Sequence, residues 1–146
     1  MKNVIIIGAG GHAAEIDEYI KYTQKVSGKQ DLKIIGFLDD DPVNYARYRL
    51  SAPFLGGIKD HKVIKGGNYI IGVANLDYRR IFVDRFRKEG AKFVSFIHIE
   101  AYVSESATIG EGSIIGPNAN IGPNVKVGSF NLINSRCSLG HDTTIG

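Results

Sequence analysis

From Ile109 onward the chain places an aliphatic residue at every sixth position: Ile109, Ile115, Ile121, Val127, Ile133, Leu139 and Ile145. Glycine follows all of them except Ile133, and Ser113, Ala119, Val125, Asn131, Cys137 and Thr143 occupy the position four after each of the first six. A period of six matches neither the helical 3.6 nor the strand's 2. It matches a solenoid in which each hexapeptide makes one short strand of a prism, with the aliphatic side chain inward and glycine at the tight corner. Thr143-Thr144-Ile145-Gly146 opens a repeat without completing it. A solenoid needs a polar cap over its last coil, so further coils beyond Gly146, and hence a truncated chain, are expected.

The N-terminal part carries a different pattern. Lys2-Asn-Val-Ile-Ile-Ile-Gly8 suits a buried parallel strand and runs directly into Gly8-Ala-Gly10-Gly11-His12-Ala13. Ile16, Tyr19 and Ile20 then recur at helical spacing, so the glycines sit at a helix start, where main-chain N–H groups can approach an anion. Further strands are expected over Lys33–Leu38, Tyr69–Val73 and Lys92–Phe96, with a short helix near 58–64 and a second, capped by Asn75, running to about Glu89. Asp39-Asp40-Asp41-Pro42 closes the second strand, a place where acid can grip a ribose or base. Alternating strands and helices imply a Rossmann-like parallel sheet over residues 1–97, followed by the solenoid over 98–146. Gly8-x-Gly10-x-x-Ala13 fits the dinucleotide fingerprint, but the module lacks length for a second mononucleotide half. A single nucleotide or nucleotide-linked sugar is favoured over NAD.

Composition excludes several other classes. The 18 basic residues against 15 acidic ones are scattered rather than clustered, which does not suggest nucleic acid. No apolar run has the length of a membrane span or signal segment, and the single Cys137, at a small-residue position of the repeat, suits a packed thiol in a reducing compartment. A cytoplasmic location is expected. No metal-ligand spacing and no Ser-His-Asp nucleophile pattern is visible, so metal: none is the expectation.

The glycine turn, Gly36-Phe-Leu-Asp-Asp40, the Asn-capped helix carrying Arg79 and Arg80, and the hexapeptide solenoid occur in an order that resembles one family over the whole chain. That family is the sialic acid O-acetyltransferases and nucleotide-amino-sugar N-acetyltransferases, which includes bacillosamine-pathway acetyltransferases. The resemblance implies a left-handed parallel β-helix that binds acetyl-CoA as co-substrate between neighbouring subunits of a homotrimer. It also implies an N-terminal module that binds a nucleotide-sugar, with a UDP-sugar favoured. By the matching motifs, Gly8, Gly10, Gly11 and His12 would meet the diphosphate or sugar, Asp39 and Asp40 the nucleoside, and Asn75 the adjoining rim.

The same resemblance assigns catalysis to a solenoid histidine followed by an acid, here His141 and Asp142 in Leu139-Gly140-His141-Asp142. His141 lies two places after the inward Leu139, where the core does not require it. A neutral imidazole there can take a proton as an amine or hydroxyl attacks the thioester. Asp142 would orient the ring, although neighbouring residues on a strand point apart. Asn134, in the slot that is otherwise glycine, would add a hydrogen bond to histidine or substrate; its alternative is a plain left-handed corner. His61, in a Lys-flanked helix, is expected to be solvated, and His98 to be a junction residue. Two other readings stay open: a non-catalytic nucleotide-sugar or NAD-binding module with a trimerising β-helix, and a purely structural trimerisation module. The 146-residue chain alone is expected to show little or no acetyl transfer, and robust turnover in a coenzyme A release assay would refute that.

Overall fold

The computed structural model describes residues 1–146. Its first part alternates β1 (Lys2–Ile7), α1 (Gly11–Ser27), β2 (Leu32–Leu38), α2 (Pro42–Ala46), β3 (Asn68–Ile71), α3 (Leu76–Lys88) and β4 (Lys92–Phe93). The four strands form one parallel sheet in the order β2-β1-β3-β4. Val4, Ile5, Ile6 and Ile7 in the central strand are at most 3% exposed, which is what their unbroken aliphatic run requires between two covered faces. The short helix expected near 58–64 is absent. A turn at 58–60 stands there, and α2 forms earlier instead, because Asp41 caps it by accepting from Val43 N–H and Pro42 sits at its first position.

The strand expected over Lys92–Phe96 is divided. Lys92–Phe93 completes the sheet, whereas β5 (Phe96–Ile97) is already the first rung of the solenoid. The rungs continue as β6 (Tyr102–Val103), β7 (Thr108–Ile109), β8 (Ile114–Ile115), β9 (Asn120–Ile121), β10 (Lys126–Val127), β11 (Leu132–Ile133), β12 (Ser138–Leu139) and β13 (Thr144–Ile145). They stack as three parallel three-stranded sheets, β5-β8-β11, β6-β9-β12 and β7-β10-β13, the three sides of a parallel β-helix. Paired residues are 18 apart, as in Thr108 with Lys126 and Lys126 with Thr144, so one coil is three hexapeptides.

The glycine column has a different cause from the one its sequence position suggests. The left-handed corners are Gly112, Asn118, Asn124, Phe130, Arg136 and Asp142, with φ between 57° and 69°, two residues after the glycine slot. Glycine is needed at 110, 116, 122 and 128 because the next coil stacks against it; a Cβ on Gly110 would lie 2.4 Å from the Gly128 carbonyl carbon. Asn134 is accordingly not a left-handed corner, since Arg136 fills that place in its hexapeptide.

Sheet and solenoid share one core. Phe96 and Ile114 of the first solenoid face cluster with Val4, Ile6, Ile16, Ile20 and Ile70, and Leu132 packs against the same group. On the other face of the sheet, Phe130 sets its ring edge-on to Phe93 at 5.1 Å, and its carbonyl accepts from Arg79 Nη2 at 2.7 Å. Cys137 packs partly buried against the solenoid interior. No helix is long and apolar enough to cross a membrane.

A pair of alanine substitutions separates close approach from corner conformation. Gly110→Ala forces its methyl into the main chain of the next coil and should cost about 1–3 kcal/mol. Gly140→Ala meets no atom within 4 Å and has no positive φ to strain, so it should leave the melting temperature unchanged or raise it slightly. Equal destabilisation by both in a thermal melt would contradict the stacking explanation.

Candidate functional site

The end of β1 and the start of α1 build a compact polar loop. Gly8 has φ 108°, and a Cβ there would press within 2.8 Å of the Gly72 carbonyl oxygen, so the turn depends on glycine twice over. Gly10 is the N-cap of α1, offers no side-chain cap, and the first turn carries no acidic residue. The first helical N–H groups therefore lack partners on their own helix and keep the positive end of its dipole open to an anion. Gly11 stands close beneath a side chain: a Cβ there would lie 3.2 Å from the Tyr48 hydroxyl, which stands over the helix start. A loop brings Tyr48 there, and the loop is anchored because buried Asp17 of α1 accepts from Ser51 N–H at 3.0 Å and from its hydroxyl.

The acidic cluster is tied to the same loop. Asp39 accepts from Ala9 N–H at 2.9 Å, from Asp41 N–H at 2.9 Å and from the Asn44 amide at 3.2 Å. Its carboxylate thus holds the glycine turn against the end of β2. Asp40 accepts from Lys59 N–H at 3.1 Å, and Asn75 caps α3 by accepting from Asp77 and Tyr78 N–H. All three occupy the expected edge of the sheet, each with a structural bond already made.

His12, in the first turn of α1, is half-buried, and its Nε2 has no partner. Burial first and the Arg79 charge second hold its pKa below the ordinary 6.5, with Glu15 opposing, so the ring is neutral. Arg79 is only 7% exposed and has no carboxylate in ion-pair range. It donates to the carbonyls of Val73 and Phe130 and so fastens the end of β3 to a solenoid corner. Its pKa is lowered by burial.

The second cluster lies on the solenoid. His141 Nδ1 and Asp142 Oδ2 are 2.9 Å apart, both side chains largely exposed. The strand rule that would turn neighbours apart does not apply, because Asp142 is a left-handed corner with φ 63°. The His141 contact first and the Asn124 carboxamide second hold the Asp142 carboxyl below its usual range. An ionised carboxylate only accepts, so Nδ1 is the donor, and Nε2 is the ring nitrogen without a protein partner. Asn134 follows β11 and His141 follows β12, so they flank opposite ends of one short rung with no hydrogen bond between them.

Of the remaining histidines, His61 departs from expectation. His61 is not in a helix and is half-buried rather than freely solvated: its Nε2 is 2.8 Å from the Tyr69 hydroxyl and its ring stacks on Phe86. His98 is a junction residue, 4% exposed, stacked on Tyr22 and edge-on to Tyr19. No group of three or more His, Cys, Asp or Glu side chains is disposed to hold a metal ion. Tyr48, Arg79 and Asn124 had no assigned role from sequence. Only Asn124 had a usable signal, standing one 18-residue coil before Asp142 in the repeat.

The family model described as the PglD N-terminal domain matches residues 3–86. No curated protein sequence matches. Among solved structures, the acetyltransferase domain of PglB from Neisseria gonorrhoeae superimposes with a TM-score of 0.74 at 24% identity, covering 99% of this chain and 67% of that one. The same domain in complex with acetyl coenzyme A gives 0.74 and 24%, over 98% and 66%. PerB from Caulobacter crescentus, in complex with CoA and GDP-perosamine, gives 0.76 at 23% identity, over 99% and 65%. The chain thus spans about two thirds of the length of these proteins, and the likeness at this identity is one of fold.

Burial keeps His12, His61 and His98 from protonating in the folded chain at the 6.5 they have when unfolded. Below that pH the unfolded chain takes up protons that the fold resists, so their contribution to stability is complete above 6.5 and is lost as pH falls through the depressed folded values. The melting temperature should fall as pH is lowered from 7.5 to 5, and the slope should flatten in a His12→Gln, His61→Gln double variant. A flat wild-type profile over that range would contradict the burial argument.

Proposed function

Because the chain belongs to the PglD N-terminal domain family, we propose that it is the greater part of an acetyl-CoA-dependent acetyltransferase acting on a nucleotide-linked amino sugar in glycan biosynthesis. Residues 1–97 form its nucleotide-sugar domain and residues 98–146 the beginning of a left-handed β-helix acyltransferase domain. The open helix start at Gly10, Gly11 and His12 takes the diphosphate, Gly8 and Asp39 hold that loop in shape, and Asp40 and Asn75 form the nucleoside rim. The length of the module, which lacks a second mononucleotide half, supports a nucleotide-sugar over NAD.

The observation that carries the reading is the His141–Asp142 pair at 2.9 Å on an exposed corner, with Nε2 unoccupied. Nε2 removes the proton as the acceptor amine or hydroxyl attacks the thioester carbonyl carbon. The tetrahedral intermediate collapses with cleavage of the carbon–sulfur bond, and the imidazolium returns the proton to the leaving thiolate. Asp142 stabilises the imidazolium, and Asn134 contributes from the far end of the rung. The relative that carries GDP-perosamine supports an amine acceptor. A UDP-linked sugar is the first substrate to try, with a GDP-linked one beside it. A cytoplasmic homotrimer, with acetyl-CoA between neighbouring solenoids, completes the reading.

In the complete protein, His141→Ala should lower kcat by roughly 100- to 10,000-fold while the thermal shift produced by nucleotide stays as in the wild type. Turnover that survives the substitution would remove His141 from the mechanism.

A further inference from the structure

One coil below Asp142 stands Asn124, also a left-handed corner, with φ 57°. Main-chain bonds fasten the two corners: Asp142 N–H donates to Pro123 O at 3.0 Å, and Lys126 N–H donates to Thr143 O at 2.9 Å. Beneath Asn124, the Ser106 hydroxyl accepts from its N–H at 2.9 Å. Ser106, Asn124 and Asp142 therefore make one column of polar corners, and with Thr108, Lys126 and Thr144 they line a single cleft that contains no apolar side chain. Asn124 faces Asp142 from the coil beneath, and its carboxamide favours the ionised carboxylate. The titratable and charged groups around that carboxylate are the His141 imidazole on its own corner and the Lys126 ammonium in the cleft.

We propose that Asn124 is a positioning residue: from the neighbouring coil its amide N–H donates to the Asp142 carboxylate and fixes the orientation in which that carboxylate receives His141 Nδ1–H. The consequence is at the other ring nitrogen. A carboxylate held in place selects the Nδ1–H tautomer and leaves Nε2 as the base, whereas a carboxylate free to rotate at an exposed corner does so only part of the time. The inference rests on the proposed role of His141 as base, and it assigns a function to the 18-residue stacking beyond holding the fold.

Two substitutions separate this role from that of a corner asparagine. Asn124→Gly and Asn124→Asp both suit a positive φ, so a purely conformational role would be preserved by each. The positioning role is lost in the first and reversed in the second, where a second carboxylate faces the first. The measurement is NMR of the chain with 15N-labelled histidine and 13C-labelled aspartate. The wild type should hold His141 in the Nδ1–H form. Asn124→Gly should lower that population, and Asn124→Asp should move the Asp142 titration above its wild-type value. In the complete protein Asn124→Gly should lose roughly tenfold in kcat with the sugar KM unchanged. Wild-type tautomer and titration in both variants would overturn the proposal, even if His141→Ala were inactive. An active His141→Ala enzyme would instead remove His141 as the base while leaving the NMR result standing.

Discussion

Main-chain hydrogen bonds between coils, repeated at a spacing of 18 residues, are the constraint on which the solenoid and the His141–Asp142 pair rest. Thr108 donates to Val125, Lys126 to Thr143, and Ile114 to Asn131, so each residue has a fixed neighbour above or below it. Side chains that are distant along the chain thereby fall into columns. One column must be glycine where coils press together, another must tolerate a left-handed backbone, and a third fills the interior with Ile115, Ile121, Val127 and Ile133. The His141–Asp142 pair inherits its geometry from the second of these, because the left-handed corner at Asp142 turns its side chain toward the preceding one, which an extended strand would not.

The sheet and the solenoid are joined without a linker. Val94 and Phe96 pass directly from the Rossmann-like core into the first rung, and Arg79 spans the junction from the other side with its guanidinium between two carbonyls. A buried arginine without a carboxylate is costly unless its donors are satisfied, and here backbone oxygens do that work. The same charge helps keep His12 neutral, so the junction and the glycine loop are electrostatically linked.

Much of this architecture was legible in the chain. The six-residue period identified the rungs, the aliphatic run Val4–Ile7 the central strand, and Asn75 the start of α3. What escaped was what neighbours in space decide. The glycine column looked like a set of corners, but the corners hold Asn118, Phe130 and Arg136, residue types that carry no turn signature as a group. His61 looked solvated among lysines, yet Tyr69 and Phe86 enclose it from a strand and a helix elsewhere in the sequence. Asp39 was recognisable as an acid at a strand end, whereas its bond to Ala9 depends on the pairing of β1 with β2. The relation between Asn134 and His141 is likewise a matter of which rung lies between them.

The left-handed corner at Asp142 also bears on how such a site can arise. Every coil must supply a residue at that place, and aspartate and asparagine are among the few side-chain-bearing residues that occupy it at low cost. A histidine added one position earlier therefore finds an acid beside it in a conformation the backbone adopts in any case. A corner pair is in this sense portable: moved to another coil it would keep its backbone geometry, and it would need a donor on the coil beneath, as Asn124 is here, to keep the acid's orientation.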